Sequence, residues 1–102
     1  MPRIQGLRET GVLTASALLK GVSGEVHSVT LAWEGASAGD KVYLLDAITD
    51  TSGDAKTHEV VFILNAATGT ITKEWPQGKK FDTGIYYKEG PNPTCYFEAT
   101  YK

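Results

Sequence analysis

Apolar and polar side chains alternate with a period of two along most of this chain, the pattern of strands that bury one face. Across residues 25–33, Val29, Leu31 and Trp33 share one face and Ser28 and Thr30 the other. Residues 11–20 set Leu13, Ala15, Ala17 and Leu19 against Thr14 and Ser16, which predicts a strand, although the segment TASALLK also fits a helical turn. Residues 41–48 (KVYLLDAI) are apolar on both faces, which predicts a central strand covered on both sides. Residues 57–64 (THEVVFIL) form a second strongly apolar run, and the TDTSGD turn between the two predicts an antiparallel hairpin. Residues 70–75 alternate Ile71, Lys73 and Trp75 with Thr70, Thr72 and Glu74, and Pro76-Gln-Gly is expected to end that strand.

Residues 81–88 and 94–101 are expected to be the last strand pair, with Gly84 at a bend and residues 90–93 as a rigid turn. In the final run Cys95, Phe97, Ala99 and Tyr101 share the inner face of an edge or near-edge strand, opposite Tyr96, Glu98 and Thr100. Glycines and turn clusters recur too often for helices of ordinary length. About seven to eight strands with short connections predict an all-β, single-domain antiparallel β-sandwich, jelly-roll-like or immunoglobulin-like. The domain is expected to span residues 11–102, with residues 1–10 as an N-terminal arm.

A chain of 102 residues fits one domain, and 41% hydrophobic with 22% charged residues places it among ordinary globular proteins. The net charge of −2 carries no basic stripe, which argues against nucleic acid as a partner. The densest basic cluster, Lys79-Lys80 beside Lys73 and Lys88, reads as a solvated turn. Cys95 is the sole cysteine, so no intrachain disulfide forms, which suits synthesis in a reducing compartment. The opening residues lack the apolar core of a signal peptide, and no run approaches membrane-spanning length. The expectation is a soluble product made in a cytoplasm.

Candidate chemistry is sparse. His27 and His58 would need a third ligand to hold a metal, and no spacing offers one. Asp46, Asp50 and Asp54 surround a turn but lack the spacing and terminal glutamate of a calcium loop, so they are expected to bond their own backbone. Glu59 and Glu74 could serve as a glycosidase pair only if they faced each other across a groove. Cys95 shares a phase with Phe97 and Ala99, which predicts a buried, inert thiol. No nucleophile elbow, phosphate-binding loop, dinucleotide fingerprint or CxxC occurs, so no enzyme activity and no cofactor are expected.

The aromatics are the remaining signal. Trp33, Trp75, Tyr43, Tyr86, Tyr87, Tyr96 and Tyr101 are amphipathic rings suited to protein interfaces or to stacking against sugars, and equally to covering a core with the polar end at its rim. Tyr86 and Tyr87 are adjacent and must point to opposite faces.

Three segments together resemble small virion-associated β proteins of tailed bacteriophages. Gly24, Val26, Ser28, Val29 and Leu31 match their first strand element. Gly39, Asp40, Val42, Leu44 and Asp46 match the second, and Phe81, Gly84, Ile85 and Tyr86 the third. The chain departs from that pattern in residues 90–93 and in Trp33 and Trp75. The resemblance implies a non-enzymatic capsid decoration (cement) subunit, or a tail or neck accessory protein. It also implies a homo-oligomer, often a trimer, that contacts a major capsid or tail protein within the virion. On that reading residues 1–8 are the tether, with Arg3, Ile4, Leu7 and Arg8 as contacts beside Trp75, Tyr87 and Tyr96. The alternative is a carbohydrate-binding module that stacks glycans on Trp75, Tyr87 or Tyr96.

Overall fold

The computed structural model describes residues 6–90 and 92–102, so Arg3, Ile4 and Pro91 of the expected turn lie outside the described residues. Eight strands are present among the described residues: β1 (Arg8–Glu9), β2 (Ala17–Lys20), β3 (Gly24–Glu34), β4 (Asp40–Leu45), β5 (His58–Leu64), β6 (Gly69–Phe81), β7 (Ile85–Lys88) and β8 (Thr94–Tyr101). One 3₁₀ turn, Ala55–Thr57, precedes β5, with the Asp54 carboxylate accepting from the Lys56 amide. The strands make two four-stranded antiparallel sheets, ordered β1-β8-β3-β6 (sheet A) and β2-β7-β4-β5 (sheet B). The all-β sandwich expected from the alternating pattern is the architecture found.

The inner faces of the two sheets supply one core. Val26, Val29, Leu31 and Trp33 of β3 meet Val42 and Leu44 of β4, and Val60, Phe62 and Leu64 of β5. Tyr87 of β7 stacks on Phe97 of β8 with ring centroids 4.1 Å apart, joining the sheets at their other side. Aromatic rings of this size dominate the apolar area removed from water. The expected β4–β5 hairpin forms with Val42 opposite Phe62 and Leu44 opposite Val60. Leu45 is also fully buried although it sits outside the main core. Residues 46–57 fold back beside it, which gives this central strand a cover on its second side: the Asp46 amide bonds the Thr57 carbonyl, and His58 bonds the Ser52 carbonyl and packs on Tyr43.

Four expectations about elements are corrected. The run over residues 11–20 is not one strand: Leu13 bridges Phe97 in sheet A, while Ala17–Lys20 pairs with β7 in sheet B. The apolar alternation is real, but the chain uses it to cross between sheets. Pro76-Gln-Gly does not end β6, which runs on to Phe81 because a wide bulge sets residues 75–78 against His27 alone. A bulge leaves its extra residues outside the ladder, so the missing proline N–H costs nothing there. Gly78 within it has φ +82°, a conformation that favours glycine.

The last 22 residues do not form a hairpin. β6 ends at Phe81, residues 82–84 cross to the other sheet, and β7 pairs with β2 and β4 while β8 pairs with β1 and β3. The Asp46 carboxylate holds that crossing, accepting from the amides of Asp82 (3.1 Å), Thr83 (2.7 Å) and Gly84 (3.3 Å). Finally, Arg8, Glu9 and Thr10, expected within an N-terminal arm, belong to the sandwich instead. Arg8 and Glu9 pair with Tyr101 and Thr100, and Thr10 is tied to Ala99 through backbone and hydroxyl. That short edge strand makes β8 the near-edge strand the alternation predicted.

β5 and β6 are edge strands on the same flank of the sandwich. Lys73 places its ammonium 5.6 Å from the Phe62 ring centroid, and Lys79 bonds Glu59 at 3.3 Å across the gap. Lysines along an edge discourage pairing with another strand. No described helix is long and apolar enough to cross a membrane.

Candidate functional site

The residues singled out from sequence separate into three environments. Tyr87 is fully buried, so its role as an exposed stacking platform or contact is ruled out. It faces inward by the alternation that turns Tyr86 outward, and its hydroxyl donates to Glu89 Oε2 at 3.1 Å. Burial, then the neighbouring Cys95 and Glu89, pushes the phenol far above its ordinary range. Cys95 is buried beside it, and burial followed by the Glu89 charge raises the thiol. The thiol is thus packed within the core, as its phase with Phe97 and Ala99 predicts. Burial also raises the Glu89 carboxyl, against the opposing Tyr87 bond and Lys88 charge.

Leu7 and Trp75 do come together. They line a shallow depression of about 280 Å³ on the outer side of sheet A, with Pro76, Ser28 and Thr100. Sheet order explains the meeting: Leu7 precedes β1 at one edge, Trp75 lies in the β6 bulge at the other, and β8 and β3 lie between them. Ser28 and Thr100 share a hydroxyl hydrogen bond of 2.6 Å. His27 adds to the lining; its Nε2 is buried without a hydrogen-bond partner among the described residues and lies 3.6 Å from Glu25 Oε1. Arg8 is exposed at the β1 edge.

The rest of that outer face is a lattice of hydroxyls and carboxylates fixed by register. Glu9, Thr100, Ser28 and Glu74 form one row. Glu98, Thr30 and Thr72 form the next, followed by Tyr96, Ala32 and Thr70, and then Thr94 with Glu34. Tyr96 is 41% exposed and donates to Glu34 Oε1 at 3.3 Å.

Sheet B presents a different outer surface that sequence reasoning missed. Leu18 is 47% exposed and pairs with Tyr86, while Ile48 is 49% exposed. A side chain at Gly84 would meet the Ile48 methyl at 2.9 Å and the Lys20 carbonyl at 2.9 Å, which places Ile48 beside the β2–β7 pair. Leu18 and Ile48, with the half-buried Tyr86 opposite Leu18, thus lie at the same end of the β2–β7 pair. The signal existed in the apolar excess of residues 41–48, but it reads as burial until residues 46–57 are seen to fold back and leave Ile48 uncovered.

His27 and His58 lie in different sheets, and no group of three or more metal-ligating side chains exists among the described residues. Glu59 is held by Lys79 on the flank while Glu74 faces out from sheet A, so they do not face each other across a groove. Asp50 and Asp54 bond nearby backbone amides as expected for turn acids. Asp46 instead holds the distant amides of residues 82–84. No protein-family model, curated protein or solved structure matches this chain.

Proposed function

We propose that this chain is a non-enzymatic structural protein of a tailed-phage virion, a decoration or cement subunit that docks on the capsid through protein–protein contacts. The observation that carries the reading is the pair of exposed apolar side chains Leu18 and Ile48, with the half-buried Tyr86 opposite Leu18, at the β2–β7 end of sheet B. Exposed apolar side chains gathered at one end of a sheet suit an interaction site. The crossing pinned by Asp46 keeps that surface on a rigid base. The three matched strand motifs supply the virion class, and the subunit works there as a homo-oligomer, with the trimer as the expected form.

Arg3 and Ile4 act in this proposal as a tether that adds contact area beyond the rigid domain, with Leu7 and the strand residue Arg8 as contacts fixed at its base. The segment leaves from sheet A, so a virion contact through both the tether and sheet B spans the side of the molecule formed by β1 and β2. Mass spectrometry of gradient-purified virions tests the class. The chain is expected among the virion proteins; its absence there, with the chain abundant in the soluble lysate, would refute the proposal. Tail fractions carrying it while capsid fractions lack it would move the site from capsid to tail or neck.

A further inference from the structure

The outer face of sheet A, whose centre the docking proposal does not use, is chemically unlike the end of sheet B that carries Leu18 and Ile48. Its register brings Thr100, Ser28, Thr30, Thr72, Thr70 and Thr94 to one surface. The same rows carry Glu9, Glu74, Glu98 and Glu34 and no lysine or arginine. An aromatic stands toward each end: Trp75 in the depression and Tyr96 four residues along β8 from Thr100, about 13 Å away at the antiparallel rise.

We infer that this face binds a neutral oligosaccharide, with one sugar ring seated in the Trp75 depression and the chain running along β8 toward Tyr96. A sugar presents apolar C–H faces and a rim of hydroxyls that both donate and accept. The depression meets both demands. Trp75 and Pro76 offer apolar surface for the ring face, and Glu74 offers a carboxylate that accepts from sugar hydroxyls. In the Ser28–Thr100 pair one hydroxyl donates to the other, so one O–H remains to donate to the ligand. At about 280 Å³ the space is small for a drug-sized ligand and suits a single ring.

Charge decides between polymers. The carboxylates of Glu74, Glu98 and Glu34, with no lysine or arginine on these rows, repel phosphate backbones and acidic polysaccharides alike. A protein partner would be expected to meet a more apolar centre than rows of threonine and glutamate provide. An uncharged glycan has neither problem.

The test is a titration of the full chain with chitotetraose, cellotetraose and maltotetraose, with an alginate tetramer as the anionic control. Binding is read from Trp75 fluorescence and from amide shifts in two-dimensional NMR. At least one neutral tetramer is expected to bind with a Kd of about 1 mM or tighter, shifting Thr30, Thr100 and the Trp75 indole, while alginate does not. Trp75→Ala should lower affinity at least tenfold and Trp75→Phe should keep most of it. Trp75 also packs on the core, so Glu74→Gln, on an exposed position, provides a variant that leaves the fold intact and should weaken binding severalfold. Tyr96→Ala should weaken tetramers but spare a monosaccharide. No shift with any neutral tetramer, or binding unaffected by Glu74→Gln and Trp75→Phe/Ala alike, overturns the assignment. Leu18→Ser with Ile48→Ser, on the other sheet, should leave glycan binding unchanged, which separates this inference from the docking proposal.

Discussion

Asp46 shows how much one side chain can organise in a fold made of crossings. Its carboxylate takes three backbone amides of the segment between β6 and β7, groups that would otherwise have no strand partner. Without that acceptor the exposed Asp82 and Thr83 amides can bond water, while the buried Gly84 amide is left to lose about 1 kcal/mol or more. Asp46→Ala is therefore expected to destabilise the protein by about 1–2 kcal/mol in urea denaturation, with Asp46→Asn losing less. Asp50 offers a pH signature. Its carboxyl is lowered from the ordinary 3.8 to about 2, first by the Ser52 hydroxyl, then by the Ser52 amide and by Lys88. A depressed carboxyl stabilises the fold above its unfolded value and loses that contribution as pH falls from 3.8 toward 2. The side chain is exposed, so solvent screening keeps the contribution small. NMR titration should place the Asp50 midpoint at about 2, and Ser52→Ala should move it back toward 3.8.

Among elements, β6 is where local and tertiary demands diverge. Its proline and glycine read as a stop, yet thirteen residues form one strand because the bulge opposite His27 absorbs them. Gly78 carries the left-handed conformation, and a side chain there would stand 3.0 Å from Glu25. Gly78→Ala should cost about 1–2 kcal/mol in thermal unfolding, chiefly from backbone strain, since Glu25 can swing aside. Strand identity was legible wherever a strand buries one face: β5 and β8 follow their alternation, and β3 does so from Ser28 on, beyond its bulge at His27. Sheet membership was not legible. Alternation records which residues face inward, and Leu13 and Leu19 face the same core from opposite sheets. β7 and β8 looked like partners for the same reason, although each pairs with strands distant in sequence.

The whole molecule is a two-layer slab, 38 × 34 × 19 Å, whose two broad faces differ in chemistry. Sheet A presents carboxylates and hydroxyls, sheet B the exposed Leu18 and Ile48, and the β5–β6 flank lysines. The candidate site was half legible. Trp75 and Leu7 stood out by residue type, but only the sheet order brings them to one depression. Tyr87 misled because an amphipathic ring at a strand position serves the core as readily as the surface, and here its stack on Phe97 prevailed. Leu18 and Ile48 lie in apolar runs that read as core, so their exposure was not legible. The two-faced slab suits a subunit that rests on an assembled shell through sheet B and turns sheet A outward. Co-sedimentation of the purified chain with capsids lacking it tests this most directly. The wild-type chain should pellet with capsids at a saturable ratio, and Leu18→Ser with Ile48→Ser should stay in the supernatant while remaining folded. A wild-type chain left in the supernatant, or a double variant that pellets as well as wild type, would contradict it.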